Sequence, residues 1–250
     1  MQFPAAVSLV AALLFGSCGA AQDDVPLTKG TYTDAKTNIT FSTWTTPPAG
    51  AIGGSVGSAF TFGMVLPADA GSKDASEYIG LLRCQSPSTN TTWSGWCGIA
   101  HAGHMTNDLL LMAWPYGGEV LTSFRWATDY FMPVPYHGTT SPQLSVIRSS
   151  ANASGYEIVY RCVKCFSWGD ASRNYTESVS TSSGGMVLGY AQSFDPPISN
   201  AGCPERMTFG FHDAGYQQWE VDVKGDGVAR EGYEKWAALA AGGVGRNGTM

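Results

Sequence analysis

Short runs of apolar or alternating residues, each bounded by turn-forming residues, recur along the chain. They are Ala59 to Leu66, Tyr78 to Arg83, Asp108 to Trp114, Leu144 to Arg148, Tyr156 to Cys162, Met186 to Tyr190 and Met207 to Phe211. Runs of this length and punctuation predict β-strands. In Tyr156-Glu157-Ile158-Val159-Tyr160-Arg161 the partial alternation predicts one face turned inward and one toward solvent. Asp108 to Trp114 is apolar on both faces, which predicts a central strand covered twice. Only Gly232 to Ala241 has a helical pattern, with Glu231 and Glu234 in a first turn where carboxylates suit the positive helix end. No repeat or linker interrupts the pattern, so it predicts a mostly β chain folded as one antiparallel two-sheet sandwich with a short C-terminal helix.

The first 21 residues are uncharged apart from the amino terminus, and Ala5 to Phe15 is an apolar run followed by Gly19, Ala20 and Ala21. That arrangement predicts a secretory signal peptide over residues 1–21 and a single domain over residues 22–250. The run is about half the ~20 residues that span a bilayer, and no later segment approaches a span, so a soluble extracellular protein is expected. Charged residues make up 14% of the chain against a usual ~25%, which fits a secreted β protein rich in turns. The net charge of −6 leaves no basic footprint for nucleic acid or an acidic membrane.

Of the six cysteines, Cys18 leaves with the signal peptide, and an odd number remain: Cys84, Cys97, Cys162, Cys165 and Cys203. In an oxidising compartment the natural pairs are Cys84 with Cys97 and Cys162 with Cys165, which leaves Cys203 over. Sequons at Asn38, Asn90, Asn152, Asn174 and Asn247 predict glycosylated surface positions.

Several motifs resolve to plain structure. Gly53-Gly54-Ser55-Val56-Gly57 spells a nucleophile elbow, but a strand rather than a helix is predicted after it. Asp222, Asp226 and Gly227 resemble the start of a calcium loop, yet Lys224 and Tyr233 stand where ligands are needed. Cys162-Val163-Lys164-Cys165 lacks the βαβ setting of a redox pair and reads as a structural disulfide. His101-Ala102-Gly103-His104 could be a metal pair, but no third ligand lies within reach, and surface or loop histidines are the plainer reading. Met105 follows a glycine-containing loop and precedes the buried strand, so its thioether could face a cavity at a sheet end.

The neighbours of Met105 carry a resemblance. Gly98-Ile99-Ala100, then Met105-Thr106-Asn107-Asp108-Leu109-Leu110-Leu111 with Ala113-Trp114, and Arg125-Trp126-Ala127-Thr128 with Tyr130 stand in order. Arg161-Cys162-Val163-Lys164-Cys165 with Trp168 and Phe209-Gly210-Phe211 follow, and Tyr32-Thr33-Asp34 with Thr37 opens the series. From about Tyr32 to Trp219 the chain resembles the haem b cytochrome domain of fungal cellobiose dehydrogenases, also found as a stand-alone, DOMON-like domain. The resemblance implies an immunoglobulin-like antiparallel sandwich that binds haem b between axial Met and His. It implies electron relay from an extracellular flavin dehydrogenase to an acceptor such as a copper polysaccharide monooxygenase. Met105 falls on the methionine position, and Tyr130 on an aromatic position near the haem edge, where a phenol could bond a propionate. Where the family has its histidine, just before the Phe-Gly segment, this chain reads Ser199 to Thr208 without one, and Arg206 stands in roughly that place. Cys203, His212 and His104 are the candidates for a second ligand.

Two functional readings follow. In the first the chain is an electron-transfer haemoprotein without a substrate of its own; no dinucleotide-binding G-x-G-x-x-G unit follows, so a separate electron donor is expected. In the second it is a haem-free secreted sandwich that binds carbohydrate or protein, with tryptophans such as Trp44, Trp93 and Trp96 as stacking surfaces. Trp114, Trp126 and Trp168 fall on family positions and read as core.

Overall fold

The computed structural model describes residues 26–46, 59–86 and 93–242. In chain order its strands are β1 (Thr28–Thr33), β2 (Thr40–Thr45), β3 (Ala59–Val65), β4 (Glu77–Gln85), β5 (Trp96–Ala100), β6 (Leu110–Tyr116) and β7 (Glu119–Trp126). Then come β8 (Val134–Pro135), β9 (Gln143–Asn152), β10 (Gly155–Val163), β11 (Ser167–Asp170), β12 (Tyr175–Ser178), β13 (Gly185–Ser193) and β14 (Gly215–Asp222). The helix α1 (Tyr233–Ala237) runs on into a 3₁₀ turn. One six-stranded sheet has the order β1-β2-β3-β4-β10-β9 and the other β14-β13-β5-β6-β7-β8, with β11-β12 as a separate hairpin. Pairing within the sheets is antiparallel throughout.

The period of two sorts side chains between the layers. On β10, Tyr156, Ile158 and Tyr160 enter the core between the sheets, while Glu157 and Arg161 face out and pair with Arg83 and Arg148, and with Glu77. Val159 also points outward but is covered, because α1 lays Tyr233 and Ala237 over it and over Ile79 and Leu81 of β4. The central strand β6 is buried on both faces, as its sequence predicts. Leu111 and Ala113 join the inter-sheet core, and Met112 and Trp114 join a second cluster on the far side.

That second cluster corrects one predicted strand. Met207 to Phe211 forms no strand; it contributes only an isolated bridge between Ser199 and Thr208. The connection from β13 to β14 instead lies across the outer face of the second sheet, and Met207 and Phe209 pack into it against Trp96, Met112 and Trp114. Alternation there reflects two inserted side chains, without a ladder partner.

Strand β4 is joined to β5 at both ends. At one end the Cys84–Cys97 disulfide crosses between the sheets. At the other, Tyr78 of β4 bonds His101, the residue just past β5.

Candidate functional site

The connection from β5 to β6 is folded back on itself and pinned at its base. Both the backbone N–H and the Nδ1–H of His101 donate to the Leu109 carbonyl, at 3.2 and 2.6 Å. A carbonyl can only accept, so Nδ1 carries the proton and Nε2 is left as the acceptor for the Tyr78 hydroxyl at 2.9 Å. Asp108 Oδ2 accepts the N–H groups of Ala102 and His104, at 2.8 and 3.2 Å. Gly103 takes φ +85°, and a Cβ there would meet Val187 Cγ1 at 2.7 Å, so the tight turn needs glycine. Asn107, also left-handed at φ +58°, donates its N–H to the Ala127 carbonyl at 2.7 Å. Its own carbonyl accepts the Trp168 indole at 3.0 Å and the Tyr175 hydroxyl at 3.2 Å. Between these anchors stands Met105, half-buried.

Burial sets the electrostatics of this loop. Asp108 is fully buried, with Oδ1 unpartnered, and burial pushes its carboxyl up to about 8 despite the backbone N–H bonds that oppose the shift. His101 is fully buried too, and desolvation holds it down to about 4. At neutral pH the loop therefore carries a protonated acid and a neutral base.

Two further segments adjoin it. The residues between β7 and β8 expose Tyr130, Phe131 and Met132, and Val134 of β8 is exposed as well. Large apolar groups left bare in one connection make this a candidate binding surface. On the outward face of β7, buried Arg125 donates through Nη2 to the carbonyls of Pro204 and Met207, and Ser123 Oγ also donates to Pro204. These bonds hold the 203–206 turn over the outward face of β7. Within the turn Arg206 Nε donates to Cys203 Sγ at 3.4 Å, and this bond lowers the half-buried thiol from its ordinary range.

The sequence model for the cytochrome domain of cellobiose dehydrogenase matches residues 32–235. The chain belongs to that family. The cytochrome domain of Myriococcum thermophilum cellobiose dehydrogenase matches the structure with a TM-score of 0.75 and 40% identity, over 85% of this chain and 96% of that one. The cytochrome b domain of pyranose dehydrogenase from Coprinopsis cinerea gives 0.66 and 25% identity, over 86% and 97%. A pyrroloquinoline quinone-dependent pyranose dehydrogenase of the same fungus is 38% identical over 109 residues, which are 43% of this chain and 14% of that protein.

The positions that the family resemblance marks fall in separate places. Met105 and Tyr130 belong to the two connections joined by the Asn107–Ala127 bond at the end of β7, and the turn carrying Cys203 and Arg206 lies over the outward face of that strand, with the Ala201 carbonyl bonded by Trp114 Nε1 at 2.8 Å. His212 lies elsewhere. It precedes β14, whose Gly215 pairs with Gln192, beside the Ser193–Trp96 pair, at the end of β5 opposite to Ala100. There burial lowers its pKa, and its ring lies against Phe211 and Tyr216. His104 is exposed, with Nδ1 3.4 Å from Gln218 Nε2.

His101, read from sequence as a surface or loop residue, is instead fully buried. The signal was present in the alternation Cys97, Ile99, His101, which puts the histidine on the inward face. His101 and the sulfurs of Cys162 and Cys165 have ligand atoms within 4.8 Å of one another, but the sulfurs are joined as a disulfide. Both predicted disulfides are formed, and Cys203 is free. Trp44, Trp93 and Trp96 are buried, which removes them as stacking surfaces; Trp114, Trp126 and Trp168 are core. Asn38, Asn152 and Asn174 are exposed. The Asp222–Gly227 segment is a turn, with Asp222 Oδ1 accepting the N–H groups of Lys224 and Gly225. Residues 1–21, Ser55, Asn90 and Asn247 lie outside the described residues. Among the described residues no helix is long and apolar enough to cross a membrane.

Proposed function

We propose that the chain is a secreted haem b electron-transfer protein, taking electrons from an extracellular dehydrogenase and passing them to an acceptor such as a copper polysaccharide monooxygenase. The observation that supports this reading is a chain of the cytochrome-domain family in which the pinned connection carrying Met105 is bonded, through Asn107 and Ala127, to the connection that exposes Tyr130, Phe131 and Met132. A haem bound there would store and release one electron. The residues present fit such a group: a thioether is a suitable soft axial donor, aromatic and methionine side chains exclude water from a flat apolar face, and the Tyr130 hydroxyl can donate to a carboxylate.

For the second axial donor we propose Cys203. It stands on the turn held to β7, and Arg206 favours its thiolate, the form that ligates iron. Thiolate pushes electron density onto the metal, so the reduction potential should lie below that of a Met/His pair.

Absorption spectra of protein produced with haem supplied test the proposal. A Soret band that sharpens on reduction is expected. Met105→Ala should lose the six-coordinate spectrum, Cys203→Ser should lose thiolate character, and Arg206→His should shift the spectrum toward Met/His ligation and raise the potential. A folded protein without Soret absorbance, or a Met105→Ala spectrum equal to wild type, overturns the reading. Release into culture medium, with a mass lowered by peptide N-glycosidase, tests secretion and glycosylation at Asn38, Asn152 and Asn174. Mixing the reduced protein with a copper polysaccharide monooxygenase tests the acceptor.

A further inference from the structure

The inter-sheet core holds a polar cluster that the electron-transfer proposal does not use. Tyr78 of β4, Tyr160 of β10 and His101 are all fully buried. The Tyr78 hydroxyl lies 2.9 Å from His101 Nε2 and 3.3 Å from the Tyr160 hydroxyl. Gly80 makes room for this meeting, since a Cβ there would lie 2.4 Å from Tyr160 Cζ. Aromatic rings continue on both sides. Measured between ring centroids, Trp168 lies 6.3 Å from His101, Phe62 lies 6.4 Å from Tyr78, Trp219 lies 5.9 Å from Phe62, and Trp44 lies 6.2 Å from Trp219. The row begins against the Met105 loop, where Trp168 bonds the Asn107 carbonyl, and crosses the core.

We propose that Tyr78 and His101 form a redox-active pair in which Tyr78 gives one electron to a strong one-electron oxidant while its phenolic proton passes to His101 Nε2. The oxidants meant are those of the class that peroxide generates at transition metals. The tyrosine O–H bond breaks and an N–H bond forms, leaving a neutral tyrosyl radical and an imidazolium that still donates from Nδ1 to Leu109. A one-electron reductant reverses both changes.

The geometry supplies what the step needs. A phenol loses an electron far more readily when its proton leaves with it, and a base within hydrogen-bond reach takes that proton directly. The Leu109 carbonyl fixes the tautomer that leaves Nε2 free to accept. Burial drives the ionisation of Tyr78 well upward, so the phenol does not shed its proton alone, and His101 is an unprotonated base at neutral pH. The other titratable groups around the pair are Tyr160 from β10, Tyr233 from α1 and Asp108 from the loop of His101 itself.

The test is flash oxidation of the full chain, as isolated, with photogenerated tris(bipyridine)ruthenium(III), followed by freezing and electron paramagnetic resonance. A long-lived neutral tyrosyl signal coupled to one exchangeable proton is expected, with a solvent deuterium effect on its rate of formation. Tyr78→Phe should remove this signal, and Tyr160→Phe should keep it. His101→Gln is the discriminating variant: the amide oxygen still accepts the Tyr78 hydroxyl but cannot take up a proton, so radical formation should slow by on the order of 10²-fold. Undiminished formation in His101→Gln, persistence of the signal in Tyr78→Phe, or its absence from the wild type would each overturn the proposal. If Tyr78→Phe does not fold, the wild-type isotope effect and His101→Gln decide between a redox pair and a purely structural bond.

Discussion

The two ends of the sandwich solve the same problem with different chemistry. Both must tie β4 to β5 across the core. At the far end this is done by the Cys84–Cys97 disulfide, backed by Tyr156, whose hydroxyl donates to the Ala113 carbonyl at 2.6 Å and accepts the Cys97 N–H at 2.9 Å. At the near end it is done by hydrogen bonds among Tyr78, His101 and Tyr160, next to the loops that carry Met105 and the exposed aromatics. The polar end holds two buried groups whose pKa values burial displaces far, His101 held down to about 4 and Asp108 pushed up to about 8, whereas at the covalent end burial lowers the half-buried His212.

The largest effect that separates the ends is loss of the disulfide. Replacing Cys84 and Cys97 together by Ala frees a closed loop with a sequence separation of 13 residues and should cost about 2–5 kcal/mol in denaturant unfolding. The environment of Met105 should change little, because the Met105 loop is held by its own bonds to Leu109, Ala127 and Trp168. A shift in the haem spectrum of this double variant would show that the ends are coupled.

Next come the pH responses of the two displaced groups at the polar end. His101 is held near 4 in the folded chain against 6.5 in the unfolded one, so the unfolded state takes up a proton first as pH falls. Stability is complete above about 6.5 and is lost as pH drops through about 4, by up to about 3 kcal/mol. Asp108 acts in the opposite direction. Its folded value of about 8 against 3.8 unfolded means the native state holds the proton more tightly, so stability is complete below 3.8 and is lost as pH rises through about 8. His101→Gln should flatten the acid limb of a Tm-against-pH curve, and Asp108→Asn the alkaline limb. Hydrogen exchange should place both openings in peptides spanning 101–109; faster exchange at Cys97 or Tyr156 would contradict the division.

The sandwich was legible because inward strands such as β4, β6 and β10 bury every second residue or nearly all of them, and that period survives in the sequence. Strand β1, Thr-Lys-Gly-Thr-Tyr-Thr, is almost entirely exposed and shows no apolar period; its place comes from pairing with β2, which sequence does not encode locally. Met207 and Phe209 mislead for the converse reason, since their alternation serves insertion rather than pairing. Met105 stands out in the sequence because its neighbours carry a family motif. His101, Tyr78 and Tyr160 could not be joined by spacing, because the tyrosines come from two strands of one sheet and the histidine from just past a strand of the other. The place of His212 at the end of β5 opposite to Ala100 follows from the register of β13 and β14, which sequence spacing does not reveal.

A smaller effect is expected from Tyr78→Phe. The substitution keeps the ring and removes one hydroxyl, leaving His101 Nε2 buried without a partner, which should cost about 1–3 kcal/mol. Denaturant unfolding measures it. A loss below about 0.5 kcal/mol would mean that the Tyr78–His101 bond is replaceable and that the Leu109 carbonyl alone holds His101.

The smallest change in stability is expected where the proposed function is most exposed. Phe131 is 75% accessible, and no hydrogen bond of its side chain supports the loop, so Phe131→Ser should leave unfolding within about 0.5 kcal/mol of wild type. If the apolar surface beside Met105 holds a prosthetic group, the same substitution should weaken haem retention severalfold in a competition with apomyoglobin, by wetting the face that excludes water. Equal stability with reduced retention would show that this end of the sandwich is kept open for a ligand rather than for folding. Equal stability with equal retention would remove Phe131 from the site and leave the thioether side of the proposal resting on Met105 and Tyr130.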